Sequence, residues 1–333
     1  MKICVWFKTT EGPWGGGNSF LRSLCSQLKK IGHEVVDTPQ SGVDVVLVNS
    51  WTTGATERFL SPGQVAAVKA FGKGPSWTRR LPPSIFRPLG RRGPAIVHRV
   101  DGVAELYRGK GGIADRTQFA INPLADVTVF QSKYCRESFS QYNVRPDGQC
   151  VIHNATDPSV FYPSERLAKP TKILHLLSTS WSSNPRKGFA TIAQLSEVPN
   201  TEIRFVGQWA PEIEPKKVKL LGVMEARQIA DQLRQSDALV HAAQNEPSSN
   251  TIMEALSCGL PVLYLDSGAN KELAGDYGVE LTDDLAWSVE DLRSQFISLR
   301  DRTLRDRSEF LIQTAANRYV EAFEQAVNIR DAG

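Results

Sequence analysis

Short apolar runs alternate with helical periodicity over the first half of the chain. The runs cover residues 2–7, 43–48, 95–100, 127–130 and 151–153, and helical periodicity fills residues 20–30 between the first two. Runs that are apolar at nearly every position are typical of parallel strands buried on both faces. The pattern predicts an α/β domain in which helices cover an open parallel sheet, ending near residue 160.

A second series of strands and helices follows a proline-flanked polar stretch at residues 162–170. The pattern predicts strands at residues 173–177, 203–206, 238–243 and 261–265, a helix at 225–235, and mainly helix after about residue 285. We therefore predict two Rossmann-like domains, residues 1–162 and 163–310, and a C-terminal helix at 311–333 that packs back on the first domain. Two such sheets imply a ligand in the cleft between them.

Composition excludes several classes of protein. Hydrophobic residues make up 41% and charged residues 23% of the 333 residues, as in ordinary two-domain globular chains. No run approaches the roughly 18 apolar residues of a membrane helix, and the apolar start is too short for a secretory signal, so we expect a cytoplasmic protein. Five cysteines without C-x-x-C spacing or a histidine cluster indicate neither a disulfide framework nor a zinc site.

Residues 245–262 form the most informative segment, because they follow the predicted strand at 238–243 directly. Ser248 or Ser249 can cap a helix that runs to Cys258. Gly259 can adopt the left-handed conformation that ends such a helix. The segment is thus predicted to contain a strand end, a loop and a helix start.

Two glutamates bracket this predicted helix start. Glu246 lies at the strand end and Glu254 lies within the helix, whose first backbone amides, near Asn250 and Thr251, are suited to phosphate. Thr251 and Glu254 also match a capping box, in which Glu254 only terminates the helix. Spacing alone leaves both interpretations open.

The spacing Glu-x7-Glu followed by Ala-Leu-Ser-Cys-Gly-Leu-Pro-Val resembles the signature of family-four retaining glycosyltransferases with the GT-B fold. The resemblance implies that Glu246 contacts hydroxyls of the donor sugar and that Glu254 accepts hydrogen bonds from the nucleotide ribose. Ser249, Asn250 and Thr251 would then adjoin the donor.

Further matches follow in the family's order. Residues 151–157, with Phe161 and Pro163, are similar to the family's segment before the interdomain linker, although Ala155 and Thr156 depart from it. Residues 221–224 correspond to the stretch whose backbone receives the base, so Gly222 and Val223 are predicted donor-binding residues. An ordinary turn is the alternative there.

Residues 178–188 resemble the loop that places an arginine and a lysine on the donor pyrophosphate. Lys187 matches the lysine. Trp181 and Ser182 stand where the family's arginine usually lies, so Arg186 is either its substitute or an exposed neighbour.

The first domain contributes a glycine loop at residues 15–17. Asn18 or Ser19 can cap the helix that follows, so the loop can bring its backbone close to a ligand. In the resembling family this loop faces the donor phosphates, which makes Gly16 and Gly17 candidates. A plain tight turn is the alternative.

His98 and Asp101 lie at the end of the strand at 95–100. The resemblance implies that a histidine or an aspartate at this strand end contacts the donor sugar beside the reacting carbon. We rank Asp101 first, because Gly102 marks the start of a loop, whereas a histidine there is often a hydrogen-bonded core residue.

The resemblance implies hexosyl transfer from a nucleotide-diphosphate sugar with retention, and the catalytic candidates are Asp101, His98, Glu246 and Lys187. No Asp-x-Asp motif occurs in the chain, so we expect neither a metal nor a cofactor besides the donor substrate. Lys187 and the helix terminus after Ser249 would stabilise the leaving diphosphate. Arg186 would contribute as well if it substitutes for the family's arginine. A front-face displacement is expected, because no carboxylate is identified as a covalent nucleophile.

The sequence does not identify the acceptor of the transferred sugar. Residues 79–92 mix apolar residues with five arginines, and this segment is either a solvated loop or a contact for anionic lipid head groups, phosphate-bearing acceptors or nucleic acid. We expect a cytoplasmic, peripheral enzyme of polysaccharide or glycoconjugate synthesis with no obligatory protein partner; a modified nucleic-acid base is a more speculative acceptor. The alternatives are a GT-B-fold nucleotide-sugar epimerase and a non-catalytic sugar-nucleotide-binding protein.

Overall fold

The computed structural model describes residues 1–10, 16–54, 59–89, 93–142, 148–164 and 172–332, and it describes no side chains at 87–89. The described chain divides into two compact units. Among the described residues, unit 1 holds residues 1–10, 16–153 and the chain from Ala315 onward, and unit 2 holds Asn154–Thr314.

Unit 1 contains a parallel six-stranded sheet within the described residues. Its strands are β1 (Lys2–Val5), β2 (Glu34–Val36), β3 (Val45–Asn49), β4 (Ala95–Arg99), β5 (Val127–Phe130) and β6 (Gln149–Val151), in the spatial order β2-β1-β3-β4-β5-β6. Its first helices are α1 (Gly16–Lys30), α2 (Pro62–Phe71), α3 (Ala104–Arg108), α4 (Gly112–Ile121) and α5 (Lys133–Ser140), with 3-10 turns at Ser76–Arg80, Pro83–Leu89 and Asn122–Leu124. Every residue of β3, β4 and β5 is buried, which explains their unbroken apolar sequence.

Unit 2 contains a second parallel six-stranded sheet. Its strands are β7 (Leu174–Ser180), β8 (Thr201–Gly207), β9 (Lys219–Leu220), β10 (Ala238–His241), β11 (Val262–Tyr264) and β12 (Gly278–Glu280), in the order β12-β11-β10-β7-β8-β9. The helices of unit 2 are α6 (Phe189–Leu195), α7 (Ala226–Arg234), α8 (Asn250–Ser257), α9 (Asn270–Ala274) and α10 (Leu285–Arg305), with 3-10 turns at Pro185–Lys187, Gly275–Tyr277 and Arg307–Phe310, and α11 (Ile312–Ala332) follows them in the sequence. The predicted α/β class with two Rossmann-like parallel sheets is confirmed.

The chain passes into unit 2 at Asn154, ahead of the predicted boundary at residue 162. Asn154 donates a hydrogen bond to Asn250 at 2.7 Å, and the Thr156 hydroxyl donates to Ser257 at 2.6 Å. These contacts attach the segment after β6 to α8. Most of the predicted linker, residues 165–170, lies outside the described residues.

Helix α11 returns the chain to unit 1. Tyr319 and Phe323 are fully buried there, and the Tyr319 ring lies 5.9 Å from the ring of Phe20 on α1. Near its end, the Arg330 guanidinium donates to the backbone oxygen of Asp44 at 2.9 Å. The last helix of the chain is therefore part of the core of unit 1.

Each sheet has a point where the strand order reverses. In unit 2 the reversal falls between the paired strands β7 and β10, and in unit 1 between the paired strands β1 and β3. Ligands of open parallel sheets bind outside the carboxyl ends of the strands at such points. The loops after β7 and β10 are therefore where the chemistry of unit 2 is expected.

No helix in the described part of the chain has both the length and the apolar character needed to cross a bilayer.

A buried arginine links three strands of unit 1. Arg99 on β4 is 1% exposed and donates at 2.7 Å to both Asn49, at the end of β3, and Gln131, just after β5. Its guanidinium also lies 4.9 Å from the centre of the Phe20 ring. The charge is held in the core by hydrogen bonds, by Asp101 at 3.3 Å and by this aromatic face.

Replacing Arg99 with methionine is expected to destabilise unit 1 by about 3–5 kcal/mol, because Asn49 and Gln131 lose buried donors. Urea unfolding, followed by hydrogen exchange of unit 1 amides, measures the change. The matched control is Arg136→Met on the exposed part of α5, with an expected change within about 0.5 kcal/mol. Equal effects of the two substitutions would contradict the structural role of Arg99.

Candidate functional site

Two predicted site residues meet in unit 2 at the reversal of its strand order. Lys187 lies in the 3-10 turn after β7, and Glu246 lies in the loop after β10. The Lys187 ammonium donates a hydrogen bond to the Glu246 carboxylate, and Glu246 is only 9% exposed. The structure thus brings together a lysine and a glutamate that are distant in the sequence.

Backbone contact between the two loops fixes this ion pair. Gln244 donates its backbone N–H to the carbonyl of Arg186 at 2.7 Å. Gly188 has a φ of 80°, and a Cβ there would lie 2.1 Å from the carbonyl oxygen of Ala242. Only glycine allows the loop after β7 to approach the end of β10 so closely.

A third loop, which the sequence analysis did not single out, supports Glu246 from the far side. The backbone N–H of Ala269 donates to the Glu246 carbonyl at 2.8 Å, and Asn245 donates to the Ser267 hydroxyl at 2.9 Å. Gly268 has a φ of 63°, and a Cβ there would lie 2.5 Å from the Glu246 nitrogen. A Ser-Gly pair directly after a buried strand was the available signal.

His241 is a second residue near this site that the sequence pattern did not indicate. It ends β10, is 6% exposed, and its Nε2 atom has no hydrogen-bond partner among the described residues. The pKa of His241 is lowered to about 4, mainly by burial; the charge of Glu246 opposes this shift, and the charge of Lys187 adds to it. A neutral imidazole therefore lies close to the ion pair. Its only sequence signal was a polar residue in an otherwise apolar strand.

Helix α8 begins at Asn250 and is capped by Ser249, whose hydroxyl accepts from the Ile252 N–H at 3.3 Å. The predicted capping by a serine is confirmed. The alternative capping box of Thr251 and Glu254 is wrong, because the helix starts before Thr251 and Glu254 lies beyond its first turn.

Glu254 is half-buried on α8, and neither a hydrogen bond nor a nearby charge contributes to the shift of its pKa. Burial raises its pKa to about 8. A carboxylate that is desolvated yet unpaired is suited to accept hydrogen bonds from a ligand.

The side chains of the first two residues of α8 are engaged within unit 2. The Asn250 amide oxygen accepts from Asn154, and the Thr251 hydroxyl lies 3.2 Å from that of Thr179 on β7. The amides of the first helical turn lack intrahelical partners. Contact of Asn250 and Thr251 with an anion is therefore expected through the backbone.

Arg186 precedes Lys187 in the same turn and is half-buried; its backbone N–H is held by the side chain of Asn184 at 3.0 Å. Its contact with a pyrophosphate stays a prediction.

Gly222 is left-handed, with a φ of 75°, and its carbonyl accepts from Gly207 at 2.8 Å, while Val223 is 49% exposed. These two residues form an exposed turn after β9, and their contact with the base also stays a prediction.

His98 in unit 1 is fully buried on β4. Its Nε2 donates to the Ser50 carbonyl at 2.8 Å, and its Nδ1 accepts from the Asn122 amide at 3.1 Å. Burial lowers its pKa to about 4, so it is neutral. Both nitrogens are occupied by hydrogen bonds inside the unit, and contact of His98 with a ligand stays a prediction.

Asp101 follows β4 and keeps 31% of its side chain exposed. One carboxylate oxygen accepts from Arg99 at 3.3 Å and from Gln131 at 3.0 Å. The core arginine thus orients a carboxylate at the surface. Of the two candidates at this strand end, the geometry favours Asp101.

Gly16 and Gly17 form the first turn of α1, so their placement in a loop before the helix is wrong. Asn18 does not cap the helix either, because its side chain bonds the backbone of Thr10 at 2.9 and 2.8 Å. The amides of both glycines remain at a helix start. Gly15 lies outside the described residues.

Within the described ranges, no three histidine, cysteine, aspartate or glutamate side chains cluster as a metal site would require.

The raised pKa of Glu254 predicts a pH-dependent stability. Because its pKa is about 8 in the folded state and 4.5 in the reference state, folding is penalised progressively as pH rises from about 4.5 to 8. Glu254→Gln removes this penalty and is expected to raise the free energy of unfolding at pH 8.5 by roughly 2–4 kcal/mol, with little change at pH 4. Urea unfolding of unit 2 at both pH values measures this change in the free energy of unfolding.

Glu214→Gln replaces an exposed glutamate and serves as the control; it should leave the free energy of unfolding unchanged at both pH values. An effect of Glu254→Gln that does not depend on pH would contradict the raised pKa of Glu254.

Comparisons with known proteins find one matching family model and several similar folds. Residues 156–299 match the family model described as glycosyl transferases group 1, and this range holds Lys187, Glu246 and Glu254. A comparison with curated protein sequences gives no match.

Several solved structures share the fold over nearly the whole chain. Sucrose-phosphate synthase from Thermosynechococcus elongatus is 15% identical, with a TM-score of 0.65 and 97% of each chain covered. HepE from Anabaena, in complex with UDP and glucose, is 16% identical, with a TM-score of 0.64, 97% of this chain and 99% of that chain covered. AviGT4, a glycosyltransferase involved in avilamycin A biosynthesis, is 16% identical, with a TM-score of 0.62; the match covers 98% of this chain and 97% of that chain.

At these identities the solved structures establish the GT-B fold, and the family model establishes the type of domain in unit 2. The chain therefore has the GT-B fold, and residues 156–299, within its second unit, match the model of glycosyl transferases group 1.

Proposed function

We propose that unit 2 binds a nucleotide-diphosphate sugar and that the enzyme transfers the sugar to an acceptor hydroxyl with retention and without a metal. The observation that carries this proposal is the Lys187–Glu246 ion pair at the carboxyl ends of β7 and β10. It joins a cation suited to a diphosphate and a carboxylate suited to sugar hydroxyls at one point.

The ion pair has a direct consequence for donor binding. Without donor, the two charges neutralise each other in a partly buried setting, which keeps Glu246 and Lys187 ordered. A diphosphate offers Lys187 a second anionic partner, and sugar hydroxyls can donate to the Glu246 carboxylate. The site is preorganised, so that binding rearranges hydrogen bonds rather than loops.

The helix start and Glu254 complete the proposed donor site. Amides of the first turn of α8 add positive potential for the phosphates. Ribose hydroxyls that donate to Glu254 stabilise its ionised form, so donor binding above neutral pH offsets the desolvation that raises its pKa. Gly222 and Val223 are assigned to the base, and Arg186 is assigned to the pyrophosphate together with Lys187.

Transfer then follows a front-face displacement. The bond between the anomeric carbon and the diphosphate oxygen breaks, the acceptor oxygen bonds to the same carbon, and the departing phosphate takes the acceptor proton. Lys187 and the α8 amides stabilise the charge that develops on the leaving group. Asp101 is the unit 1 residue we assign to the donor sugar.

The first donor to test is a uridine diphosphate sugar, because HepE, which shares the fold, is described in complex with UDP-glucose. We assign the enzyme to polysaccharide or glycoconjugate synthesis in the cytoplasm, and the basic residues 79–92 favour an anionic partner. Within this segment, residues 90–92 lie outside the described residues.

Lys187→Met and Glu246→Gln are each expected to reduce kcat/KM at least 100-fold, because each removes a charged contact to the donor or its transition state. A thermal-shift panel of UDP-, GDP- and ADP-sugars should identify one base with the wild type and show a smaller shift with Lys187→Met. Initial rates of acceptor-dependent nucleotide release measure transfer.

The matched control for this experiment is Lys216→Met, which removes the lysine of an exposed ion pair with Glu197 in the same unit. It should stay within twofold of the wild type. Transfer that survives both site substitutions unchanged would refute the proposed function.

Metal independence has its own test. Treatment with EDTA followed by desalting is expected to leave the transfer rate within twofold, since protein cations take the place of a metal at the diphosphate. Loss of activity that Mg²⁺ or Mn²⁺ restores would show that a divalent ion is required.

A further inference from the structure

Unit 1 contains an open pocket of about 800 Å³ that the donor site in unit 2 does not involve. Ligand pockets usually measure about 300–1,000 Å³, so this one is large enough for a small ligand. Its lining combines apolar, hydroxyl and basic side chains. The lining residues are Phe59, Leu60, Ser61, Pro62, Ser76, Trp77, Arg79, Arg80, Ile113 and Thr117.

The pocket lies where the topology of unit 1 favours a ligand. Phe59 and Leu60 belong to the connection between the carboxyl end of β3 and the start of α2. Strand β3 flanks the reversal of strand order in this sheet. Asp101 follows the carboxyl end of the neighbouring strand β4, so it belongs to the same edge of the sheet.

The lining is positively charged and contains no carboxylate. Arg80 is exposed and has no hydrogen-bond or ion-pair partner among the described residues. Arg79 uses one N–H to bond the Phe59 carbonyl at 2.5 Å, which leaves other guanidinium donors for a ligand. The sequence from Phe59 to Val100 contains no aspartate or glutamate at all. A ligand whose charge complements this pocket is therefore an anion.

Large apolar surface lies beside these arginines. Trp77 is 66% exposed and Ile113 is 48% exposed, although both line the pocket. An exposed indole offers a flat face for the C–H side of a sugar ring and an N–H donor for its hydroxyls. Two neighbouring guanidinium groups offer planar, paired donors for a carboxylate, phosphate or sulfate.

We infer that this pocket is the acceptor subsite and that it takes a saccharide bearing an anionic group. The sugar ring packs on Trp77, and the anionic group is bound by Arg80 with Arg79. The concave shape favours such a compact ligand over a bilayer surface, which would require a projecting apolar face. The inference rests on the proposed transfer function, since it assigns the second substrate of that reaction.

Binding is tested by calorimetry on the full-length protein with three anionic probes: tetragalacturonate, glucose 6-phosphate and a chondroitin sulfate tetrasaccharide. Neutral counterparts are the methyl ester of tetragalacturonate, glucose and the desulfated, esterified tetrasaccharide. At least one anionic probe should bind at least tenfold more tightly than its counterpart. Arg80→Gln and Trp77→Ala should each weaken that binding at least tenfold.

Matched controls separate this effect from general charge and aromatic content. Arg136→Gln removes an exposed arginine of α5 elsewhere in unit 1, and Trp287→Ala removes an exposed tryptophan of unit 2. Both should leave the affinity within twofold. The probe that binds should also stimulate nucleotide release from the donor in the wild type and less in Arg80→Gln.

Three results would overturn the inference: no binding of any anionic probe, equal binding of charged and neutral counterparts, or binding that Arg80→Gln and Trp77→Ala leave intact. Sedimentation with phosphatidylglycerol vesicles that depends on Arg80, without saccharide binding, would assign the surface to lipid instead. The donor thermal shift keeps this result separate from the proposed function. A normal shift that depends on Lys187, with no saccharide effect, refutes the acceptor assignment alone.

Discussion

The ion pair between Lys187 and Glu246 depends on the close approach of backbone loops, and the candidate site depends on that approach. Gly188 lets the loop after β7 reach the end of β10, and Gly268 lets the loop after β11 reach Glu246 from the opposite side. A Cβ at either position would overlap a backbone atom. Two opposite charges are thereby held together at the reversal of the sheet by constraints on the main chain.

Much of the fold followed from the sequence because buried parallel strands have an unbroken apolar pattern. β5 was predicted with the bounds that the structure has, and β3, β4 and β10 within a few residues. The short strands β2 and β9 were missed, since their residues are largely exposed and their pairing is decided by neighbours. The start of α1 was missed because two glycines oppose helix formation locally, although the chain continues helically through them.

The candidate site was harder to predict, because it is assembled by contacts between distant segments. Glu246 and Lys187 were identified by resemblance, yet nothing in their local sequence indicated that they pair. The loop that contains Ser267 and the buried ring of His241 contribute through backbone bonds and burial, which one sequence does not reveal. His98 shows the converse case: a polar residue at a strand end belongs to the core, because Ser50 and Asn122 satisfy both of its nitrogens.

The return of α11 to unit 1 has a consequence for synthesis of the chain. Among the described residues, unit 2 is a single stretch of the sequence, whereas the core of unit 1 includes Tyr319 and Phe323, which follow unit 2 in the sequence. During translation, Phe20 on α1 therefore lacks its aromatic partner Tyr319 until the segment beyond Ala315 has left the ribosome. Unit 2 has all of its residues earlier and can fold first. The order of folding would then run opposite to the order of the two sheets along the chain.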